Sequence, residues 1–230
     1  MGLTAVLSAA SESDYGCRTG PCHRGLDEGA LTHAPFREGK CRPCHKGSAA
    51  RHPDGTGAEF SLAFEGGGGL CYTCHRELEE AVKKSGSIHR PVREGACLRC
   101  HEPHTSSFRA LLEANLAEDV SSGVPASGGF GQEDFELCWR CHDVYMVLLE
   151  KTLSRTAFRN AGLNLHYLHV RGEKGYTCKA CHRYHAADGE KLIGRPMGWT
   201  GDLVRYVKLD DGGECSPGCH VKRSYSRAGR

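Results

Sequence analysis

Apolar material is scarce in this chain. Hydrophobic residues fill 39% of its 230 positions even with 14 cysteines counted among them, and aromatic residues only 7%. A chain of this length ordinarily buries one or two hydrophobic cores. Here 30 glycines favour loops over packed elements, so composition predicts a mostly irregular fold with short α-helices. Something other than side chains must then fill the interior. Long hydrophobic runs are also lacking: no stretch approaches the roughly 18 apolar residues that a membrane span needs. Methionine is rare, at three residues, and Met146 and Met197 are read as packing side chains rather than as metal ligands. Strong net charge is missing too, with a formal value of +2. The one basic run, VKRSYSRAGR at the end of the sequence, is read as a solvated terminus, and no nucleic-acid partner is expected.

Cysteine, by contrast, is plentiful and ordered. All 14 cysteines fall in seven pairs, and a histidine follows the second member of every pair. The pairs are Cys17 and Cys22 before His23, Cys41 and Cys44 before His45, Cys71 and Cys74 before His75, and Cys97 and Cys100 before His101. Cys138 and Cys141 precede His142, Cys178 and Cys181 precede His182, and Cys215 and Cys219 precede His220. Seven such placements by chance have a probability on the order of 10⁻⁹, which excludes a set of ordinary disulfide halves. Structural zinc fits poorly as well, because a tetrahedral site gives no reason for a histidine after every second cysteine. Five pairs have the spacing CxxCH. That is the pattern of c-type haem attachment, in which two thiols on one turn add to the two vinyl groups of a porphyrin and the next residue ligates the iron. The other two, CRTGPCH and CSPGCH, are longer, and their extra residues include Gly20, Pro21, Pro217 and Gly218, which are turn formers able to loop out. The expectation is seven covalently attached haem c groups.

Seven histidines remain: His33, His52, His89, His104, His166, His169 and His185. Their number equals that of the proposed haems, so each is a candidate distal ligand opposite one of the seven proximal histidines. A repeat supports part of the set. HAPFREGKCRPCH, from His33 to His45, and HRPVREGACLRCH, from His89 to His101, share HxPxREGxCxxCH position for position. His104 and His185 each stand three residues after a proximal histidine, while His166 and His169 stand three apart and share a face of any helix they occupy.

Taken in order, residues 1–16 resemble the tail of a secretory signal peptide or form an irregular terminus. Residues 17–65, 70–120 and 132–190 are read as two-haem modules, and 191–230 as a segment carrying the seventh site. Gly66 to Gly69 and Ser121 to Gly131 are candidate linkers. Helices are predicted from Leu70 to Ser85, after a cap at Ser106 or Ser107, and, as the longest, over 133–153. LVRYVKL, from Leu203 to Leu209, is predicted to be a strand of a small C-terminal β-hairpin.

The strings HxPxxxGxCxxCHxPH at His89 to His104, TAFRNAGLNLHYLHV before CKACH, and GGECSPGCH resemble those of the bacterial multihaem c-type cytochromes with doubled CxxCH motifs. The resemblance implies an architecture organised around stacked haems, attachment after export to the periplasm or beyond the cell, and electron transfer, in respiration or to extracellular acceptors. At about 33 residues per site the porphyrins would lie close enough for direct transfer. Two histidines per iron leave no position for a substrate, which points to an electron carrier with redox proteins as donor and acceptor. An oxidoreductase with one open haem and a subunit that polymerises into a filament are the other readings. No CxxCK, which marks the open haem of some multihaem enzymes, occurs in the sequence.

Overall fold

The computed structural model describes residues 26, 28–46, 61–62, 67–116, 131–172, 175–194 and 204–228. The leader, the first attachment site (Cys17, Cys22 and His23), His52 and Met197 lie outside the described residues. The chain forms two compact units, one made of Met1–Glu65 with His101–Leu111, the other of Gly66–Cys100 with Leu112–Arg230.

Among its described residues the first unit has two short antiparallel pairs. Leu31–Thr32 pairs with Thr105–Ser106, and His45–Lys46 pairs with Ser61–Leu62. Between them Ala34–Arg37 makes a single helical turn, opened by Pro35 near its start and closed at Gly39, whose φ of 69° few other residues adopt without cost. Phe36 on this turn is buried. The segment after His104 is not the capped helix that its residues suggest. Ser106 belongs to a strand, and Arg109–Leu111 is one 3-10 turn in which Ala110 and Leu111 are left-handed, at φ 56° and 55°.

In the second unit the longest described helix is Arg76–Lys84, nine residues. Its acidic first turn and basic last turn suit the helix dipole, and Glu79–Lys83 and Glu80–Lys84 pair one turn apart at 2.6 and 3.3 Å. The predicted helix from Leu70 to Ser85 is thus two helices, Gly67–Tyr72 and Arg76–Lys84, because the CxxCH turn at Cys71–His75 interrupts it. Gly67, Gly68 and Gly69 open the first of these instead of forming a joint. The run over 133–153 breaks for the same reason, into Gln132–Phe135, Glu136–Trp139 and Tyr145–Leu148 on either side of Cys141 and His142. Further on, Arg159–Asn160 and Leu163–Asn164 form a tight hairpin that leads into the helix Leu165–Val170. The last strands make a three-stranded sheet with Gly212–Ser216 between Arg205–Leu209 and Arg223–Ser226. The terminal run is therefore not merely solvated. Arg223–Ser226 is its third strand, and Tyr225 sets its ring edge-on to Phe158 at 5.2 Å.

Nine apolar side chains are buried among the described residues, two of them alanines. Among the described residues apolar side chains thus supply little interior of their own.

A local scheme occurs once in each unit. Ser87–Ile88 pairs with Ala186–Ala187 as Leu31–Thr32 pairs with Thr105–Ser106. The helical turn Arg90–Arg93 and Gly95, at φ 68°, match Ala34–Arg37 and Gly39. Lys191 and Leu192 are left-handed, at φ 59° and 60°, as Ala110 and Leu111 are. Here the HxPxREG repeat becomes geometry: the same residues ask for the same turn, with a positive-φ glycine closing it.

Candidate metal centres

Every described CxxCH takes up the same backbone turn. The second cysteine's N–H donates to the first cysteine's carbonyl at 3.1 to 3.2 Å in the motifs that start at Cys41, Cys71, Cys97, Cys138 and Cys178. In four of them the histidine N–H reaches that same carbonyl at 2.8 to 2.9 Å, giving His45, His75, His142 and His182 one local frame. The motif CSPGCH differs. Cys215 sits on the central strand of the C-terminal sheet, and Gly218, at φ 79°, turns the chain back toward Cys219 and His220. No disulfide joins any of the twelve described cysteines. Those of successive motifs in the second unit lie within electrostatic reach of one another. The Cys178 thiol donates to Cys138, which raises its own pKa and lowers that of Cys138. Burial and then the neighbouring Cys215 and Cys219 push Cys181 up to about 11.

The histidine rings are oriented one by one. Nδ1 faces a backbone carbonyl in six of them: His33 on Pro103 at 2.9 Å, His89 on Tyr184 at 3.0 Å, His101 on Ala110 and His182 on Lys191 at 2.9 Å, His169 on Leu165 and His220 on Val221 at 2.7 Å. A carbonyl oxygen only accepts, so in each ring Nδ1 carries the proton and Nε2 keeps its lone pair for a metal. His166 departs from this pattern, with Nδ1 3.0 Å from the hydroxyl of Thr156, which also accepts the N–H of Phe158 at 3.0 Å. The left-handed residues now acquire a purpose. Ala110 and Lys191 each turn their carbonyl onto the proximal histidine nine residues before them.

Histidines distant in sequence meet in pairs. His45 faces His104 in the first unit, with ring centres 6.0 Å apart and 24° between planes. In the second unit His142 faces His89 at 6.2 Å and 20°, His182 faces His166 at 6.4 Å and 27°, and His220 faces His169 at 6.4 Å and 39°. Each pair joins one CxxCH-type histidine to one of the spare histidines. Two imidazoles that ligate one metal at about 2 Å apiece hold their ring centres roughly 6 Å apart. The spacing fits an iron between the rings, and the protonation pattern fits it too. Burial holds His104, His142 and His166 below the ordinary imidazole range, each lowered further by the ring it faces, and His166 reaches about 4. Aromatic side chains brace the distal rings. Phe36 lies 5.0 Å from His104, and Phe158 lies 5.1 Å from His166 and 5.7 Å from His169.

His75 and His185 are exposed. His75 stands at the start of Arg76–Lys84, and the carbonyl of His185 accepts the N–H of His89 at 2.9 Å, as that of His104 accepts the N–H of His33. Sequence reasoning did not anticipate the orienting groups: Thr156, the left-handed pairs Ala110–Leu111 and Lys191–Leu192, and Asn164. Only the recurrence of ALL and KLI at one distance after a CxxCH carries a trace of them.

Thiol pairs on a single turn, followed at once by a histidine, define a c-type attachment site, and several in one chain define a multihaem c-type cytochrome, a protein of electron transfer. A family model described as the doubled CXXCH motif matches residues 33–80 and 89–147, four of the seven motifs, and the chain belongs to that family. It carries covalently bound haem c. No curated protein matches the chain. Among the described residues no helix is long and apolar enough to cross a membrane.

Proposed function

We propose that the chain is a seven-haem electron carrier in which each iron is held between two histidines. It is exported to the periplasm or the cell exterior and passes electrons between other redox proteins, in respiration or to extracellular acceptors. The observation that carries this reading is the set of four facing rings, each pairing a CxxCH-type histidine with a spare one at 6.0 to 6.4 Å.

The haem irons supply reversible one-electron chemistry when bound. The polypeptide does the rest. Its cysteines would fix each porphyrin covalently and its paired histidines would hold the iron, which would leave no position for a substrate. Nδ1–H donation to carbonyls makes the imidazoles more basic, which favours ferric iron and low potentials. The shortage of apolar side chains leaves room for porphyrin as the interior, in an architecture organised around stacked haems.

Intact mass spectrometry of protein made with a c-type maturation system is expected to give seven haem masses. Five would remove the sites at Cys17 and Cys215. The ferric spectrum is expected to be wholly low-spin and the ferrous protein to take up no carbon monoxide. A high-spin signal would favour an oxidoreductase with one open iron, and large assemblies on native gels would favour a filament subunit.

A further inference from the structure

Of all the described side chains, Asn164 is the largest that is wholly out of solvent, at 0% exposure. It is also a polar one, and its hydrogen-bonding capacity is spent. Nδ2 donates to the carbonyls of Met146 at 2.9 Å and Leu149 at 2.7 Å, and Oδ1 accepts the N–H groups of His166 at 3.0 Å and Tyr167 at 3.3 Å. Its backbone N–H donates to Glu150 at 2.9 Å. One side chain thus ties the turn that follows the fifth motif, Tyr145–Leu148, to the start of the helix Leu165–Val170.

That helix bears both His166 and His169, which face His182 and His220. At six residues it is far shorter than the roughly 12 to 15 that an isolated helix needs to hold together in water, so its position is imposed from outside. The anchors after Asn164 are few. They are Thr156 on the His166 ring, Phe158 against both rings, and one backbone bond at each end, from Leu165 N–H to the Phe158 carbonyl at 3.0 Å and from Tyr176 N–H to the His169 carbonyl at 2.8 Å. His169 takes its Nδ1 acceptor from Leu165, within the same helix, so its aim follows the helix wherever the helix goes.

We infer that Asn164 is a positioning residue for two irons at once, aiming the distal ligands His166 and His169 at the haems of the sixth and seventh motifs through a single buried amide. The inference rests on the reading of those two histidines as ligands. Loss of the amide leaves the carbonyls of Met146 and Leu149 without their donor, frees the first N–H groups of the helix, and lets both rings move together.

Carbon monoxide uptake by the ferrous protein, scored beside the haem count from intact mass, tests this. His166→Ala and His169→Ala are each expected to open one iron. Asn164→Ala is expected to open two, with all haems still attached and no third iron responding. A general loosening of the fold would instead open irons in no fixed number and lower the haem count. Asn164→Ser keeps an acceptor for the helix start but lacks both amide donors, and is expected to open the same two irons at a lower temperature than the unmodified protein. Should Asn164→Ala fail to accumulate, the serine variant decides alone. If the histidine variants each open one iron while the Asn164 variants behave as the unmodified protein, the positioning role is overturned and the ligation stands. If the histidine variants open none, the ligation reading falls and this inference falls with it.

Discussion

Spare histidines are held in two different ways in this molecule. His33 and His89 sit between a two-residue strand and a one-turn helix, and their orientation comes from backbone register: N–H to the carbonyl of His104 or His185, and Nδ1 to the carbonyl of Pro103 or Tyr184. His166 and His169 ride on a helix whose place comes largely from side chains, namely Asn164, Thr156 and Phe158, with the His169 ring set by the Leu165 carbonyl inside the helix. The first way uses groups that every residue possesses, so it can recur with different sequences, as it does once in each unit. The second depends on particular residues and is found at one place among those described. A scheme made of backbone should resist side-chain substitution and yield only where backbones touch, while one made of side chains should fail at single points.

The largest effect is expected from Gly212→Ala. A Cβ there would stand 1.8 Å from the Tyr225 carbonyl, so the strands Gly212–Ser216 and Arg223–Ser226 must part, and Tyr225 would leave Phe158. A loss of about 3 kcal/mol is expected, read as a lower thermal midpoint, with spectral change confined to the haems of the sixth and seventh motifs. Change at the His89–His142 pair as well would show that the two schemes are not separate.

Gly86→Ala is the matching break in the register scheme. Its Cβ would meet the Asp188 carbonyl at 2.4 Å, beside the strand pair Ser87–Ile88 with Ala186–Ala187. We expect a cost of about 2 kcal/mol and a perturbed fifth haem, the one of His142, while His166 keeps its place. An unchanged signal from that haem would mean that strand register does not aim His89.

Thr156→Val comes next, at about 1 kcal/mol, because one half-buried hydroxyl is then lost to both the His166 ring and the Phe158 N–H. Without an acceptor for Nδ1–H the imidazole is less basic, so the midpoint potential of one haem should rise in a potentiometric titration. Unmoved potentials would assign Thr156 a purely structural part. Lys83→Ala should do least. It removes an exposed ion pair to Glu79 on a helix that bears no spare histidine, costs about 0.3 kcal/mol, and should leave every haem band in place.

What the sequence could and could not disclose follows the same division. The HxPxREGxCxxCH repeat was legible because its parts act locally: proline starts a turn, glycine ends it with positive φ, and CxxCH closes a turn of its own. That last turn was also what defeated the longer helix predictions. The periodicity around Cys71 and Cys138 is helical, but each motif ends one helix and starts another, so Leu70 to Ser85 and 133–153 came out in pieces. The pairing of particular histidines was out of reach, since His45 meets His104, and His169 meets His220, across dozens of intervening residues that carry no matching signal. Ala110 and Lys191 were illegible for another reason. Nothing in an alanine or a lysine announces a left-handed backbone, and the conformation is held by contacts elsewhere, such as Glu102 N–H to the Leu111 carbonyl and Arg183 N–H to that of Leu192. The terminal strand Arg223–Ser226 was hidden by the basic run around it, although the strand itself carries only the charge of Arg223.

The pairing of each repeat's front with a distant segment of its own unit bears on how such a protein can be lengthened or assembled. Leu31–Thr32 finds its partner only at Thr105–Ser106, and Ser87–Ile88 only at Ala186–Ala187, so the front of one sequence repeat is completed by the back of a later one. Cutting or adding one CxxCH repeat at its sequence borders would orphan a front and a back at the same time. The tradable part is the overlap, not the repeat. As the chain grows, the described strands of the first unit are complete only once Ser106 has followed, by which time the attachment motifs at Cys41, Cys71 and Cys97 are already written. The attachment motifs are thus complete in sequence before the strand pair that encloses them, so their thiols need no finished fold around them to be presented.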